Sequence, residues 1–257
     1  MSQYERFSLH IQRLIQLSTA EPGLDPDTVS EVILNFLSRE NTSEEEEEEL
    51  GNFFEERNVK YLVHFTHRNN LKNILKFGLI PRAYLEETVI KIALSPIFTD
   101  NWRLDGVKEA SCLSVSFPNY KMFYSRSNNN QDNWAVILFD LDVVTRHMGE
   151  FASSNLASSG TNPIRGIRGA EQMFSNPSLR EQLNLPSHYT TDPQAEVLEY
   201  SVIPPAWIKE VHLISSEYLN EVAEWDNPNN IDIRVDRRFF RPREDYNHWS
   251  AGSQRPL

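Results

Sequence analysis

Asp192-Pro193-Gln194-Ala195-Glu196-Val197-Leu198-Glu199-Tyr200 has the pattern of a β-strand that the chain enters from a loop, and it carries a carboxylate where an apolar residue would be expected. Successive side chains of an extended segment alternate between two faces, so Gln194 and Glu196 are predicted to share one face. Glutamate is rarely buried without a partner, so Glu196 points either to solvent from an exposed edge strand or into a cleft where its charge has a role. The local pattern alone favours the exposed edge strand.

The composition is that of a globular protein. The chain has 257 residues, of which 39% are hydrophobic and 11% aromatic, so it can build one large domain or a domain with an appendage. Its single cysteine, Cys112, excludes an intrachain disulfide. Neither a signal peptide nor an apolar run of membrane-spanning length is apparent, so we expect a soluble, cytoplasmic protein with no membrane partner.

The negative charge is concentrated at the N-terminus. The net charge is -12, and residues 1–58 contain 14 acidic and 4 basic residues, which leaves the remainder of the chain nearly neutral. A strongly acidic chain is expected to bind nucleic acid poorly, but this charge distribution leaves nucleic-acid binding open for residues 59–257. The basic residues in that part are clustered, in one loop with Arg165 and Arg168 and in the segment from Arg234 to Arg243.

The N-terminal 58 residues are predicted to form three amphipathic helices. Apolar residues recur at helical spacing in residues 4–18 and 26–39, and Ser43 with Glu46 has the spacing of a capping box for a third helix. The run Glu44–Glu49 is interpreted either as a solvated helix start or as an acidic surface that mimics nucleic acid or docks a partner. We therefore divide the chain into an acidic helical extension, residues 1–58, and a second domain, residues 59–257.

From residue 59 the pattern changes to short strands and helices. A strand over 59–66 precedes a helix, Leu71–Phe77, that Gly78 ends. Strands and long helices do not alternate regularly, which favours an α+β fold over a doubly wound nucleotide-binding sheet. Residues 151–192 are predicted to be a long functional or mobile loop that leads to Glu196. Further strands are predicted at 112–117, 134–140, 194–202, 210–214 and 231–235, and further helices at 120–124, 141–147, 169–174, 206–209 and 216–224.

A few polar residues are candidates for chemistry, and each has an ordinary structural alternative. His64 and Thr66 share a face of the first strand, although a histidine on a strand is more often a satisfied core or surface group. Arg103 follows Trp102 in a loop and presents a fork suited to a diphosphate, although surface arginines are common. The histidines are scattered and the cysteine is alone, so no metal site is expected.

Several short motifs occur in an order that is typical of one family. They are His64-Phe65-Thr66, the helix from Asn70 to Leu79, Arg103, Ser116-Phe117-Pro118-Asn119-Tyr120 with Met122, Asn155, and Pro193 to Leu198 running on to Ile203-Pro204-Pro205. Over about residues 59–214 the chain thereby resembles the DarT family, toxin ADP-ribosyltransferases that use NAD to modify bases in single-stranded DNA. The resemblance implies an ADP-ribosyltransferase-like fold of two small packed β-sheets with flanking helices.

The resemblance also implies roles for individual residues. Glu196 and Arg103 are then catalytic, because a carboxylate near the ribose stabilises the positive charge that develops when nicotinamide leaves. NAD is expected as a co-substrate without a metal. The residues implied to bind it are His64, Thr66, Asn70, Gly78, Arg103, Tyr120 and Met122, and those implied to contact the nucleic acid are Gln194, Asn155, Arg165 and Arg168.

The substrate is left open by the sequence. The segment Ser116–Tyr120 departs from the form associated with thymidine modification, so guanine is the first expectation and thymine the second, with an RNA base or a protein as alternatives. A non-enzymatic alternative is an inactive module that binds a partner through residues 1–58. The aromatic and arginine residues of 237–241 either stack on unpaired bases or belong to a packed C-terminal strand. A base-modifying toxin would also need an antagonist, either an antitoxin protein or an ADP-ribosyl hydrolase.

Overall fold

The structure, a computed structural model, describes residues 43–98, 107–128, 130–147, 149–157, 160–225, 227 and 229–251. The helices predicted in residues 4–18 and 26–39 lie outside these ranges, and so does Arg103. The described residues form an α+β fold, a β-sheet with flanking helices, which confirms the expected fold class.

The strands of the described residues belong to one sheet. They are β1 Leu62–His67, β2 Ser111–Val115, β3 Trp134–Phe139, β4 Glu150–Ala152, β5 Ile164–Arg165, β6 Glu196–Glu199, β7 Ile208–Leu213 and β8 Asp232–Val235. Their order in the sheet is β5-β4-β6-β2-β1-β3-β7-β8. β7 and β8 run parallel, and the other neighbouring strands are antiparallel.

Helices connect the strands. The α-helices of the described residues are α1 Glu44–Glu56, α2 Leu71–Phe77, α3 Arg82–Leu85, α4 Thr88–Leu94, α5 Tyr120–Ser127, α6 Asp142–Thr145, α7 Ile167–Met173, α8 Pro177–Gln182, α9 Leu219–Ala223 and α10 Tyr246–Ala251. Single 3-10 turns lie at Arg68–Asn70, Gln131–Asn133, Pro205–Trp207, Ser216–Tyr218 and Arg238–Phe240. No helix in the described ranges has the length and apolar character needed to cross a membrane.

The sheet is divided near its middle, between β1 and β2. These strands pair at only two positions, Leu62 with Val115 and Val63 with Ser114, and then separate. On one side of this seam lie β5, β4, β6 and β2, and on the other β1, β3, β7 and β8. The two small sheets expected from the sequence are therefore halves of one sheet, joined edge to edge by a short ladder.

The second half of the sheet is covered on both faces. All residues of β3 are buried, and they alternate between two apolar clusters. One cluster contains Leu71 and Leu75 of α2, and the other contains Phe123 of α5. A strand with two buried faces loses the alternation of polar and apolar residues, which explains the continuous apolar sequence of 134–139.

The third predicted helix is present and packs into the domain core. Glu46 N–H donates to Ser43 Oγ at 3.3 Å and Ser43 N–H donates to Glu46 Oε2 at 3.4 Å, which confirms the capping box. The apolar face of α1, formed by Leu50, Phe53 and Phe54, belongs to the larger apolar cluster. The division at residue 58 stays a prediction, but α1 shares its core with the sheet that follows it.

Two predictions about local structure are wrong. Residues 151–192 are not a loop apart from the helix predicted at 169–174, which corresponds to α7, because they also contain the end of β4, β5 and α8. Strands of three and two residues are too short to produce a periodic pattern, and only tertiary pairing reveals them. The helix predicted at 206–209 is instead the 3-10 turn Pro205–Trp207 followed by β7, whose Ile208 pairs with Phe139.

The C-terminal aromatic residues are part of the core. Phe239 and Phe240 are buried in the cluster that contains Phe123, so the interpretation that they stack on unpaired bases is wrong. Arg234 is paired with Glu210 and Arg238 with Asp236. This segment is therefore a packed element whose arginines largely face acidic neighbours.

Candidate active site

A cleft opens where the two halves of the sheet separate. Its volume is about 210 Å³, and it is lined by residues 63–66 of β1, by β2 and by the segments around α2. Of the residues singled out in the sequence, the cleft brings together His64, Thr66, Asn70, Gly78, Met122 and Glu196. Residues that are distant in sequence therefore meet because β1 and β2 diverge after a short ladder.

Glu196 begins β6 and faces this cleft. Its side chain is 4% exposed, and its Oε2 accepts a hydrogen bond from Leu156 N–H at 3.0 Å. The exposed edge strand favoured by the local pattern is wrong, because β6 lies between β4 and β2. A carboxylate nearly excluded from water interacts more strongly with a positive charge than one in solvent, so Glu196 can stabilise a cationic reaction centre.

Gln194 does not share a strand face with Glu196. It lies in a turn in which its N–H donates to Asp192 Oδ1 at 2.8 Å, and β6 starts two residues later. The alternation rule fails here because it requires extended backbone at both positions. Gln194 is half-buried and does not line the cleft.

Asn155 belongs to a turn that supports Glu196. Its Oδ1 accepts from Ala157 N–H at 2.8 Å, an arrangement that shapes the turn from which Leu156 N–H reaches Glu196. Ser154 Oγ donates to Asp192 Oδ2 at 2.7 Å and ties this turn to the loop before β6. The sequence indicated that Asn155 is near the site but not that it acts through its neighbours.

His64 and Cys112 bridge the gap between the diverging strands. His64 Nδ1 lies 2.9 Å from the carbonyl oxygen of Cys112. Because a carbonyl oxygen can only accept, this contact is a hydrogen bond when Nδ1 carries the proton. The contact fixes the orientation of the imidazole at the floor of the cleft.

Thr66 and Asn70 form a second polar contact on this wall. Asn70 Nδ2 donates to Thr66 Oγ1 at 3.1 Å and to the carbonyl of Ile97 at 2.9 Å, and Asn70 Oδ1 accepts from Ile97 N–H at 2.8 Å. Asn70 thereby holds the segment after α4 against the end of β1.

Gly78 is required by its backbone geometry. It ends α2 with φ 86° and ψ -179°, and a Cβ at this position would lie 2.2 Å from the carbonyl oxygen of Ile203. The chain can approach Ile203 this closely only without a side chain. Gly78 therefore lines the cleft as a close-packed corner.

Tyr120 and Met122 lie on different sides of α5. Met122 lines the cleft, whereas Tyr120 is fully buried and packs on Tyr246 with ring centroids 5.7 Å apart. Burial raises the pKa of Tyr120 well above its ordinary value, so the phenol stays protonated. Tyr120 does not line the cleft, in contrast to the role implied by the resemblance.

Arg165 and Arg168 are not brought to the cleft. Both are exposed and line a separate groove with Glu46 and Glu49 of α1. Arg103 lies outside the described residues.

Further cleft residues escaped the sequence analysis. Arg82 and Arg126 line the cleft, and the Arg82 guanidinium contacts Glu86 at 2.7 Å and lies 4.6 Å from the ring centroid of Phe98. Arg126 is four residues after Met122, and this spacing places both on one face of α5. The spacing could therefore have indicated that Arg126 lines the cleft together with Met122. Arg82 lies in a helix of one turn and gave no comparable signal.

The described residues contain no group of three or more His, Cys, Asp or Glu side chains arranged to hold a metal ion. The expectation that the reaction needs no metal stays a prediction.

Comparisons with known proteins point to one family. The family model described as "ssDNA thymidine ADP-ribosyltransferase, DarT" matches residues 63–240. No curated protein matches the chain.

Two solved structures, with TM-scores of 0.50 and 0.51, share the fold. A structure of Thermosipho africanus DarTG in complex with ADP-ribose has 20% sequence identity and a TM-score of 0.50, over 70% of this chain and 51% of that one. Thermus sp. 2.9 DarT in complex with ADP-ribosylated ssDNA has 15% identity and a TM-score of 0.51, over 71% of this chain and 96% of that one. The same Thermus protein in complex with NAD+ has 16% identity and a TM-score of 0.45, with 70% and 97% covered. The present chain thus spans about half the length of the Thermosipho chain.

Proposed function

The chain belongs to the DarT family of ADP-ribosyltransferases, and from this premise we propose that it transfers ADP-ribose from NAD to a thymine base of single-stranded DNA and releases nicotinamide. The description of the family model names thymidine, which favours thymine over the guanine expected first from the sequence. The observation that carries the proposal is the buried carboxylate of Glu196 in a cleft that also contains His64 and Thr66.

Glu196 is proposed to act on both partners of the reaction. When the glycosidic bond to nicotinamide breaks, its electrons leave with nicotinamide and positive charge develops on the ribose. The carboxylate stabilises this charge and accepts the proton that the base loses as the new bond to the sugar forms. Leu156 N–H, which donates to Oε2, fixes the orientation of the carboxylate.

The other cleft residues are proposed to hold NAD. His64, Thr66, Asn70, Gly78 and Met122 line the cavity and match the motifs of the family. Two arginines add positive charge to the lining of the cleft, and a guanidinium is well suited to bind a diphosphate. These are Arg82 and Arg126. Arg103, for which the family motifs imply a catalytic role, is proposed to assist Glu196.

The single-stranded DNA is proposed to approach from the side of the turn at Asn155 and the loop at Gln194. Hydrogen bonds tie the turn to Asp192 and Glu196, and Gln194 N–H donates to Asp192. Arg165 and Arg168 remain candidates for contacts with phosphates. Their position beside Glu46 and Glu49 weakens this role, because the glutamates repel phosphates.

The test uses labelled NAD with oligonucleotides that differ in one base. We expect label on single-stranded DNA that contains thymine and none on the matched strand without it, with nucleoside mass spectrometry identifying the modified base. Transfer to guanine alone, to RNA alone or to protein would each replace the thymine assignment by that substrate. Transfer to no acceptor would refute the proposed activity.

The matched control is Glu196→Gln, which keeps the shape of the side chain and an acceptor for Leu156 N–H. It should lower the rate of transfer by about a hundredfold or more, because the negative charge and the proton acceptor are lost together. A variant that transfers label at the rate of the unaltered protein would remove Glu196 from the mechanism. The inactive partner-binding module would instead be favoured if the unaltered protein itself transferred no label.

A dedicated antagonist is also proposed. The Thermosipho relative is named DarTG, and an unrestrained base-modifying enzyme would damage its host, so we expect an antitoxin protein or an ADP-ribosyl hydrolase. Expression of this chain alone should stop growth, and expression of Glu196→Gln should not. Partner docking on residues 1–58 stays a prediction.

A further inference from the structure

Asn119 has one polar group without a protein partner, at the wall of the cleft. The residue is 2% exposed, and three of its polar groups are satisfied. Its N–H donates to Ser114 Oγ at 3.2 Å, its carbonyl accepts from Phe123 N–H at 2.9 Å, and its Oδ1 accepts from Met122 N–H at 3.1 Å. Only Nδ2 has no hydrogen-bond partner among the described residues.

The orientation of this amide is fixed. Met122 N–H can only donate, so the atom that caps α5 must be the oxygen, and Nδ2 must be the other end. A buried amide nitrogen without an acceptor is costly, and in native proteins such a group has a specific explanation, which can be a bound ligand, an ordered water or a functional role. Asn119 lines the cleft, which makes the cleft the place to look for the missing acceptor.

Asn119 lies at the end of the cleft that contains Glu196. Leu113 pairs with Val197 at the end of the ladder, and continuing this antiparallel register by one residue places Ser114 beside Glu196; both line the cleft. Asn119 is bonded to Ser114 and is therefore close to the proposed reaction centre. A group bound here belongs to the parts of the substrates that react, rather than to the distant adenosine.

We propose that Asn119 Nδ2 donates a hydrogen bond to the carbonyl oxygen of an amide or imide group in the reacting substrates. The proposal rests on the proposed function, which supplies two groups of this chemistry: the carboxamide of nicotinamide and a ring carbonyl of the acceptor pyrimidine. Each accepts from an amide N–H, and neither is present in ADP-ribose. Asn119 thus orients either the leaving nicotinamide or the base that accepts the sugar.

Asn119→Asp separates this role from the cap. Aspartate caps helices as well as asparagine does and keeps the oxygen that Met122 N–H requires, but it replaces the Nδ2 donor by an acceptor. Asn119→Ser is the second variant, which also caps the helix and lacks a donor of the same reach. The matched control is Asn176→Asp, because the exposed Asn176 caps α8 through Leu179 N–H at 3.2 Å and does not line the cleft.

Two measurements distinguish the nicotinamide carboxamide from the ring carbonyl of the pyrimidine as the acceptor. They are the binding of NAD and of ADP-ribose, measured by calorimetry, and the steady-state kinetics with a thymine oligonucleotide. If the acceptor is nicotinamide, Asn119→Asp weakens NAD binding by roughly tenfold or more and leaves ADP-ribose binding unchanged. If it is the base, both ligands bind as before and kcat/KM for the oligonucleotide falls by a similar factor. Either result supports the proposal, provided that Asn176→Asp changes neither quantity.

Two results would overturn the assignment while the proposed function stands. One is that Asn119→Asp and Asn119→Ser both retain NAD binding, ADP-ribose binding and kcat/KM within about twofold of the unaltered protein. The other is that NAD and ADP-ribose binding fall together, which would indicate a general disturbance of the cleft. If the unaltered protein bound neither ligand, the proposed function would fail first and this assignment with it.

Discussion

Replacement of Gly78 by alanine is the most informative test of how the cleft is built. Gly78 joins α2 to the isolated bridge between Leu79 and Ile203, where Leu79 N–H donates to Ile203 at 2.9 Å and Ile203 N–H donates back at 3.0 Å. At φ 86° and ψ -179° the backbone is in a region that is almost restricted to glycine. An added Cβ would also lie 2.2 Å from the carbonyl oxygen of Ile203, which is backbone and cannot turn aside.

These effects set the expected magnitude. The backbone strain costs about 1 to 3 kcal/mol. Relief of the overlap moves the Ile203 carbonyl and weakens two hydrogen bonds that contribute roughly 0.5 to 1.5 kcal/mol each. Gly78→Ala should therefore lower the free energy of unfolding by about 3 kcal/mol or more, a large part of the stability of a typical domain.

Urea unfolding provides the measurement, and Gly51→Ala provides the control. Gly51 lies inside α1 and a Cβ there would meet nothing within 4 Å, so alanine should stabilise the helix by roughly 0.5 to 1 kcal/mol. The same chemical change is thus expected to have opposite signs at two positions. If Gly78→Ala unfolded at the same urea concentration as the unaltered protein, the account of this corner would be wrong.

Two further predictions concern ionisable groups that are buried away from the cleft. Burial lowers the pKa of His212 against the opposing influence of Asp236 and Glu210, so the unfolded chain binds the proton more readily and stability is lost as the pH falls through about 6.5. Urea unfolding at about pH 7.5 and about pH 5.5 should show a smaller loss of stability in His212→Gln than in the unaltered protein. An equal loss in both proteins would contradict the assignment of this pH dependence to His212. Asp245 accepts two hydrogen bonds from the buried Arg243, at 2.9 and 2.5 Å. Asp245→Ala should therefore lower the free energy of unfolding by about 3 to 5 kcal/mol, because it leaves a buried guanidinium without its carboxylate. A double variant with apolar residues at both positions should recover much of that stability. A single variant as stable as the unaltered protein would show that Arg243 finds another partner.

The parts of the fold that were predicted from the sequence depend on short-range patterns. The capping box of Ser43 and Glu46 and the end of α2 at Gly78 involve residues within one or two helical turns of each other, and both are confirmed. The buried environment of Glu196 was not predictable in this way. It depends on β4, which is three residues long and pairs with β6 from a distant part of the chain.

The candidate site shows the same limit. The ordered motifs predicted which segments meet, and six of the predicted residues line the cleft. They did not predict what each side chain does within its segment. Gln194 is removed from the strand by a hydrogen bond to Asp192, Tyr120 is turned into the core, and Asn119, one residue earlier, carries the unpaired amide nitrogen. Such differences depend on local turns and packing, which sequence motifs do not encode.

The position of Cys112 has a practical consequence. It is the sole cysteine of the sequence, it lies on β2 close to the seam, and its backbone carbonyl holds His64 at the floor of the cleft. A thiol-directed fluorophore or spin label therefore has one point of attachment, beside the group that is proposed to receive NAD. The protein thus carries its own site for a spectroscopic reporter of ligand occupancy, without the removal of competing thiols.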